Sequence, residues 1–205
     1  MTNLTHELCA LFERIHAGAT LTDVIPDAEP ILQQAYGIML WGHVRQFRKD
    51  PGNRPYSQHP LQVCLLVRMA GGTIEQQIAA LLHDVVEDAD ESWSNTDVAE
   101  MMDAILRLFG EKVADMVFKL TDTPGIKREV KDAWQMTQMR LCTDTRLVKA
   151  ADKICNAYDT MINPPAHWDD EKVQRKRCGG QKVVEVFPDL PDIMRQAAAQ
   201  FAAAV

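Results

Sequence analysis

The centre of the chain reads Gln77-Ile78-Ala79-Ala80-Leu81-Leu82-His83-Asp84-Val85-Val86-Glu87-Asp88, an apolar run that ends in one imidazole and three carboxyls. The apolar part predicts a helix packed in the core, and residues four apart share a helical face, so His83 stacks on Glu87. Asp84 and Asp88 form a parallel row beside them. Buried carboxylates persist only when they are paired, protonated or bound to a cation. The stretch therefore favours a cleft that holds water or a metal ion, although a buried helix whose charged end meets solvent has the same pattern.

Length and composition limit the classes of protein that could contain this helix. With 205 residues, 46% of them hydrophobic, the chain fits one domain with a sizeable core. Its formal net charge of −7 argues against a general nucleic-acid binder. No apolar stretch approaches the ~20 residues of a membrane span, and the start of the sequence lacks the basic residues of a signal peptide. Five cysteines without a C-x-x-C pair indicate reduced thiols, so we expect a cytoplasmic protein without a membrane partner.

The rest of the chain has helical periodicity and no convincing alternating strand. Thr73, with Gln76 three residues later, resembles a capping box for the central helix. Further helices are predicted over residues 5–17, 28–47, 60–67, 96–109, 113–120, 127–141 and 144–161, and two more begin near 169 and 192. The sequence therefore predicts a single all-α domain, a helical bundle that spans residues 1–205.

A metal site at the central helix would need ligands from elsewhere in the chain. A divalent metal requires three or four imidazole or carboxylate ligands, and His83 and Asp84 supply two. His59 is the best third candidate because Pro60 fixes the exit of the chain from it; its alternative is an ordinary capping or surface imidazole. Asp152 is the fourth candidate because a carboxylate between Ala-Ala and Ile-Cys is costly to bury unless something binds it.

Asp152 also begins a polar row on its helix. Asn156 follows it by four residues and Asp159 by seven, so the three share a face. The alternative for Asp152 is a salt bridge on the helix surface with Lys149 or Lys153. Spacing alone leaves both interpretations of this face open.

Taken in order, these motifs resemble those of the HD metallohydrolase superfamily, in particular the hydrolase domain of the RelA/SpoT alarmone enzymes. The resemblance covers about residues 42–168. It rests on Arg48-Lys49-Asp50-Pro51, Pro55-Tyr56, His59-Pro60, the run 79–88, Phe109-Gly110, Thr121-Asp122 and the run 147–153 with Asn156. Lys153 stands where the long two-domain enzymes usually carry Arg, so the chain is most similar to the small alarmone hydrolases. The resemblance implies an HD-type helical core with flanking helices at both ends.

The resemblance also implies roles for individual residues. In that family two histidines and two aspartates hold one Mn²⁺, which implies four ligands: His59, His83, Asp84 and Asp152. It implies Glu87 and Asp88 as the general acid/base pair that serves the attacking water. Arg48 and Lys49 resemble a pair at the rim that contacts base and phosphate, and Asn156 resembles a nucleotide-contacting asparagine. The same ligand types also accept Fe, Zn or Co.

A further histidine and three departures from the family pattern complete the comparison. His43 matches a family histidine whose expected role is to orient a metal ligand. Residues 89–108 form a longer segment than the family needs, which suggests an extra lid over the cleft. Tyr158 stands where an Arg is usual. The basic run 175–177 lies where small hydrolases place a substrate-contacting tyrosine, and it is either a phosphate contact or a solvated face.

The function implied by the resemblance is Mn-dependent 3′-pyrophosphohydrolysis of guanosine tetra- and pentaphosphate to GDP or GTP and pyrophosphate. The alternative within enzymes is an HD phosphohydrolase of another nucleotide: an adenosine alarmone, NADPH or a nucleoside monophosphate. A catalytically silent nucleotide-binding module would have lost Glu87 or Asp88, and both are present. A helical protein-interaction bundle would leave Asp152 among apolar neighbours without an explanation.

Overall fold

The computed structural model describes residues 4–87, 98–122 and 126–203, and their regular structure is helical. The helices are α1 (Leu4–His16), α2 (Leu21–Val24), α3 (Pro30–Gly42), α4 (Gln58–Met69), α5 (Ile74–Leu82), α6 (Val98–Phe109), α7 (Glu111–Leu120), α8 (Arg128–Leu141), α9 (Thr143–Ile162), α10 (Asp170–Arg177), α11 (Gly179–Val186) and α12 (Asp192–Ala203). Within the described ranges, strand-like pairing is limited to an isolated antiparallel bridge between Phe47 and Pro55. The all-α prediction is confirmed.

Helix α9 lies at the centre of the fold and packs against seven other helices, α4, α5, α7, α8, α10, α11 and α12. Val148, Ala151, Ile154 and Cys155 of this helix are fully inaccessible to solvent, and Leu147 is partly buried. Burial of such side chains contributes about 1.5–3 kcal/mol for each large aliphatic residue. Asp152 lies between these apolar positions, so packing alone places its carboxylate in the interior. None of the helices described above is both long and apolar enough to cross a membrane.

Helix α5 carries the central apolar run into the core. The predicted capping box is present: the Gln76 backbone N–H donates to Oγ1 of Thr73, and the Thr73 backbone N–H donates to Oε1 of Gln76. Caps of this kind stabilise a helix by about 1 kcal/mol. The run from Ile78 to Leu82 is buried, and α3, α4, α7 and α9 pack around the helix.

The central helix ends earlier than predicted. α5 ends at Leu82, and residues 83–87 form turns, with the Val85 N–H donating to the Leu82 carbonyl at 3.1 Å. The prediction that His83 stacks on Glu87 along one helix is therefore wrong. Nδ1 of the His83 ring lies 2.8 Å from the Ala80 carbonyl, which is the acceptor that a continuing helix would use for the next N–H. A side chain thus occupies the carbonyl on which the helix would have continued.

The predicted helix over residues 28–47 is also shorter in the structure, because α3 ends at Gly42. A Cβ at Gly42 would lie 3.0 Å from Cγ1 of Val85, so the end of this helix packs tightly on the turn after α5. The chain then folds back, and the Arg48 backbone N–H donates to the Arg54 carbonyl at 2.7 Å. A short paired loop, rather than a helix, therefore leads to α4.

The polar helix predicted from Asp169 is two helices. Asp169 caps α10 by accepting a hydrogen bond from the Lys172 backbone N–H, and Cys178 separates α10 from α11. Gly180 of α11 lies so near α9 that a Cβ there would be 2.9 Å from Cγ1 and 3.2 Å from Cα of Ile154. Helix α11, the second half of the predicted helix, therefore packs closely against α9.

Candidate metal centre and active-site cleft

Residues from three helices and one turn meet at the end of α5. His59 lies in the first turn of α4, His83 caps the end of α5, and Asp84 follows it in the turn. One ligand atom from each of these three residues lies within 4.8 Å of the other two. Asp152 projects from the middle of α9, with Oδ1 3.2 Å from Nε2 of His59 and 3.9 Å from Nε2 of His83. The four predicted ligands are therefore brought together.

The histidine nitrogens suit a metal ion. A carbonyl only accepts hydrogen bonds, so the contact with Ala80 places the proton of a neutral His83 ring on Nδ1. Nε2 then carries the lone pair; it is buried, and it makes no well-aligned hydrogen bond with the described residues. Oδ2 of Asp84 lies 3.1 Å from it. Imidazole and carboxylate donors together form a set that divalent transition metals accept.

The electrostatics of this cluster favour a cation. Burial lowers the pKa of the His83 ring, but the carboxylates of Asp84 and Asp152 together outweigh burial and raise this pKa to about 9. Burial alone would raise the pKa of Asp84 and of Asp152. The neighbouring His83 ring instead holds the pKa of Asp84 below its usual range. Lys149, whose Nζ lies 3.1 Å from Oδ2 of Asp152, lowers the pKa of Asp152. The carboxylates that attract a proton to His83 would attract a divalent cation for the same reason.

Glu87 lies in the same cleft without being part of the ligand cluster. Its Oε2 accepts a 3.2 Å hydrogen bond from the backbone N–H of Asp122, in the segment after α7. Burial raises the pKa of the Glu87 carboxyl, and the negative charges of Asp84 and Asp122 raise it further. A carboxylate of increased basicity beside a metal site is suited to accept a proton from water.

The residues around Asp84 hold its carboxylate from the outside. The Tyr56 hydroxyl donates a 2.6 Å hydrogen bond to Oδ2 of Asp84. The His43 ring packs on Tyr56, with the ring centroids 4.8 Å apart, and Nδ1 of His43 forms a hydrogen bond with the side chain of Gln46. His43 thus packs on the tyrosine whose hydroxyl group bonds to the candidate ligand Asp84.

The cluster lies in a cavity of about 380 Å³. Five cationic side chains line it, together with three aromatic ones: Arg48, Lys49, Lys149, Lys153 and Lys176, and Phe47, Tyr56 and Trp168. Cations attract the oxygens of phosphate groups, and aromatic rings offer stacking surfaces for a planar base. Seven carboxylates line the cavity as well: Asp50, Asp84, Glu87, Asp122, Asp132, Asp152 and Asp159. The cationic and aromatic side chains suit the phosphate groups and the base of a nucleotide, whereas the carboxylates favour a bound cation.

A sequence profile described as HD domain matches residues 40–177 of this chain. The chain belongs to the HD-domain family. The matched region contains the four candidate ligands and Glu87, and it ends with α10. Helices α1, α2, α11 and α12 lie outside it.

Two relatives of this HD-domain chain are named guanosine-3′,5′-bis(diphosphate) 3′-pyrophosphohydrolase. The protein from Drosophila melanogaster is 30% identical over 70% of this chain and 76% of its own length. The protein from Xenopus tropicalis is 33% identical over 78% of this chain and 85% of its own length. A solved structure of a metazoan orthologue of SpoT, described as hydrolysing ppGpp, superposes with a TM-score of 0.72 at 24% identity, over 85% of this chain and 94% of that one. This superposition shows that the fold is shared.

Of the remaining predicted site residues, the structure describes Asn156, Arg48 and Lys49. Nδ2 of Asn156 donates a 2.6 Å hydrogen bond to Oδ1 of Asp152, and Nη2 of Arg48 donates to Oδ1 of Asn156 at 3.2 Å. Lys49 lies at the exposed rim of the cleft. Asp88, the predicted partner of Glu87, lies outside the described residues.

Of the residues that depart from the family pattern, only Lys176 is found among those that line the cleft in the described part of the chain. Tyr158 points away from the cleft and packs between the rings of Phe12 and Phe201, with centroids 5.0 and 5.1 Å away. Of the basic run, Lys176 lines the cleft, whereas the other two members do not, since Arg175 is exposed and Arg177 is buried. The suggested lid lies partly outside the described residues, and its described part, α6, packs on α7 without lining the cleft.

Several residues of the site were not predicted from the sequence. His16 and Arg54 both contact Asp159, and the hydroxyl of Tyr56 contacts Asp84. The salt bridge between Lys149 and Asp152, considered above as a surface alternative to metal binding, is present but buried, within the cluster of candidate ligands. Asp159 had one signal, because it shares a helical face with Asp152. His16 had none, since it lies in an amphipathic helix far from every motif.

Proposed function

We propose that the protein is a Mn²⁺-dependent 3′-pyrophosphohydrolase of guanosine tetra- and pentaphosphate that releases GDP or GTP and pyrophosphate. The observation that carries the proposal is the convergence of His59, His83, Asp84 and Asp152 beside Glu87, in a cleft that is also lined by five cationic side chains. The names of the relatives from fly and frog supply the substrate. Neither the ion nor the substrate follows from the geometry of the cluster by itself.

The four proposed ligands would bind the metal ion, and Glu87 would act as the general base. A divalent cation held by them would supply Lewis acidity and would screen the charge of a diphosphate. The reaction adds water across the bond between O3′ of the ribose and phosphorus. Glu87 takes a proton from the attacking water, because its carboxylate lies in the cleft and its pKa is raised toward neutrality by burial and by neighbouring charge.

The leaving O3′ needs a proton, and we assign its delivery to the predicted pair of Glu87 and Asp88. Both carboxyls follow the ligand Asp84 within four residues. The assignment of Asp88 rests on the family resemblance, whereas that of Glu87 also rests on its place in the cleft.

The rim of the cleft would bind the nucleotide. Cζ of Arg48 lies 5.5 Å from the centroid of the Tyr56 ring. The planar guanidinium of Arg48 suits stacking on a base or a forked contact with phosphate. Lys49 and Lys176 lie among the cleft-lining residues as point charges for phosphate oxygens. Trp168 lines the cleft as well and offers a surface for the base.

The deciding experiment incubates the purified protein with guanosine tetraphosphate in the presence and absence of Mn²⁺ and separates the products by ion exchange. The proposal expects metal-dependent formation of GDP and pyrophosphate in equal amounts. A panel of adenosine alarmone, NADPH and nucleoside monophosphates is run in parallel. Cleavage of a panel member with guanosine tetraphosphate left intact would contradict the substrate and retain the HD chemistry. No turnover of any nucleotide with metal bound would contradict the enzymatic proposal.

A further inference from the structure

A second charged cluster lies beside the proposed metal site and is organised by Asp159, which also lines the cleft. This aspartate lies on α9 two turns beyond Asp152, and its side chain is 5% exposed. Its Oδ2 accepts a 2.8 Å hydrogen bond from Nη2 of Arg48. Its Oδ1 lies 3.4 Å from Nη2 of Arg54 and 3.1 Å from Nε2 of His16. One buried carboxylate therefore joins α1, the loop before α4 and α9.

The charges in this cluster are arranged to hold Arg48. Arg54 is shared between two carboxylates, since its Nε donates to Oδ2 of Asp50 at 3.0 Å as well as contacting Asp159. Arg48 has Asp159 as its carboxylate partner in the described part of the chain. Burial tends to raise the pKa of Asp159, but Arg48, the contact with His16 and the charges of His59 and Arg54 together keep this pKa well below its usual range. The carboxylate of Asp159 and the guanidinium of Arg48 thus form an ion pair at 2.8 Å.

The described contacts that fix Arg48 use one nitrogen of its guanidinium group, Nη2. Among the described residues, its hydrogen bonds to Asp159 and to Asn156 both use Nη2. The Nη1 and Nε positions of the planar group are not used by these two bonds. Because Arg48 lines the cleft, these positions can serve a ligand in a fixed orientation.

His16 supports Asp159 from the opposite side. Nε2 of His16 lies 3.1 Å from Oδ1 of Asp159 and 3.0 Å from the side-chain nitrogen of Gln62. A carboxylate only accepts hydrogen bonds, so the contact with Asp159 is a hydrogen bond in the form of the ring that carries a proton on Nε2. Helix α1, which carries His16, lies outside the region matched by the family profile. A helix from outside the HD region therefore helps to hold the carboxylate that contacts Arg48.

We propose that Asp159 is a positioning residue, which anchors one nitrogen of Arg48 so that the remaining N–H groups of the guanidinium meet the substrate in one orientation. The inference rests on the proposed function, because it assumes that Arg48 contacts the nucleotide. Asp159 is separate from the ligand cluster: its Oδ2 lies 3.8 Å from Nδ1 of His59, whereas Oδ1 of Asp152 lies 3.2 Å from the other ring nitrogen, Nε2. Its removal should therefore affect substrate binding more than metal binding.

The kinetic test compares Asp159→Asn, Arg48→Ala and the double variant, each assayed with guanosine tetraphosphate and Mn²⁺. We expect Asp159→Asn to raise KM about tenfold, as for the loss of one charge-assisted hydrogen bond, with kcat within about threefold of wild type and metal content unchanged. The double variant should have the KM of Arg48→Ala. Additive effects in the double variant, or loss of metal in Asp159→Asn, would overturn the proposal. The control is Asp189→Asn, which removes a carboxylate 2.6 Å from Arg146 outside the cleft and should leave KM unchanged.

A second measurement does not depend on turnover. The Nε–H signal of Arg48 is assigned in a nitrogen-15 NMR spectrum by its loss in Arg48→Lys, and its exchange with water is then compared in wild type and Asp159→Asn. We expect faster exchange in Asp159→Asn, and an unchanged signal would overturn the positioning role. Faster exchange in a protein that does not cleave guanosine tetraphosphate would instead reject the proposed substrate and retain the positioning role.

Arg48→Lys provides a second test of the positioning role in case the Asp159→Asn variant does not fold. A lysine ammonium is a single point charge and cannot hold Asp159 and Asn156 while it presents a planar fork to the ligand. Its KM should therefore match that of Arg48→Ala. A wild-type KM in Arg48→Lys would overturn the proposal.

Discussion

The hydroxyl group of Tyr56 donates a hydrogen bond of 2.6 Å to Oδ2 of Asp84, across 28 positions of sequence. Asp84 lies in the turn after α5, where no regular helix fixes its side chain. Tyr56 belongs to the loop before α4 and is itself packed on His43. The phenol thus selects one orientation for the carboxylate of a candidate metal ligand, as outer contacts of metal sites commonly do.

Tyr56→Phe should weaken metal binding about tenfold without unfolding the protein, because it removes this hydrogen bond and keeps the ring. Titration of the metal-free protein with Mn²⁺ measures the change. Tyr36→Phe, a half-buried tyrosine on α3 away from the cleft, is the matched control and should bind metal normally. Equal affinities in the two variants would show that Tyr56 does not orient Asp84.

Asp152→Asn should abolish metal retention and activity together. The amide keeps the shape of the carboxylate, but it removes the negative charge that faces both His59 and Lys149. Metal content after dialysis against a chelator, followed by an assay with added Mn²⁺, checks the expectation. Retention of a full equivalent of metal would remove Asp152 from the proposed ligand set.

Glu87→Gln should bind metal as wild type does and should lower kcat by about 10²–10⁴-fold, the usual contribution of a general base. The amide preserves the acceptor for the Asp122 N–H but cannot take a proton. Glu13→Gln, on the exposed side of α1, is the control. A normal rate in Glu87→Gln would exclude this residue as the base, and loss of metal would place it among the ligands instead.

The pH dependence of kcat should reflect the raised pKa of Glu87. A base acts when ionised, so activity is lost as pH falls through this pKa, and the acid limb should lie above that of an ordinary glutamate. Asp122→Asn removes one of the charges that raise it and should move the limb to lower pH. Rate profiles of the two proteins at saturating metal test the direction. A limb that moves to higher pH, or that persists in the residual rate of Glu87→Gln, would contradict the assignment.

Gly180→Ala should destabilise the fold by about 1–3 kcal/mol, the range for overpacking in a close-packed interior. Its added Cβ would lie 2.9 Å from Cγ1 and 3.2 Å from Cα of Ile154, so α11 would have to move away from α9. Gly179→Ala is a matched control, since a Cβ there meets nothing within 4 Å. Denaturant unfolding of both variants measures the difference. Equal stabilities would mean that α11 does not approach α9 this closely.

Local patterns in the sequence were enough to predict the fold class and most helices. The capping box of Thr73 and Gln76 depends on residues three positions apart, and the buried face of α9 follows from helical spacing. Such features are decided by neighbours along the chain, whose separation is set by the geometry of one helix. The motifs also singled out His59, His83, Asp84 and Asp152, and the structure brings them together.

The end of α5 shows where local reasoning failed. Helical spacing predicted a continuous helix through Asp88, yet the regular helix ends at Leu82. The His83 ring bonds to the carbonyl of Ala80, a competition between side chain and backbone that apolar periodicity does not reveal. Glu87 therefore reaches the cleft through a turn and is held by the backbone of Asp122 rather than by helical stacking.

The sequence by itself determined the helices, the apolar core and the identity of the groups that can bind a metal, because these depend on residue type and on spacing within single elements. Only the tertiary structure decided which charges meet. Arg48 and Asp159 are 111 positions apart, and His16 and Asp159 are 143 positions apart. No local pattern records such pairings. They exist because the packing of α1, α4 and α9 brings those side chains into one buried volume, where each ionised group must find a partner of opposite charge.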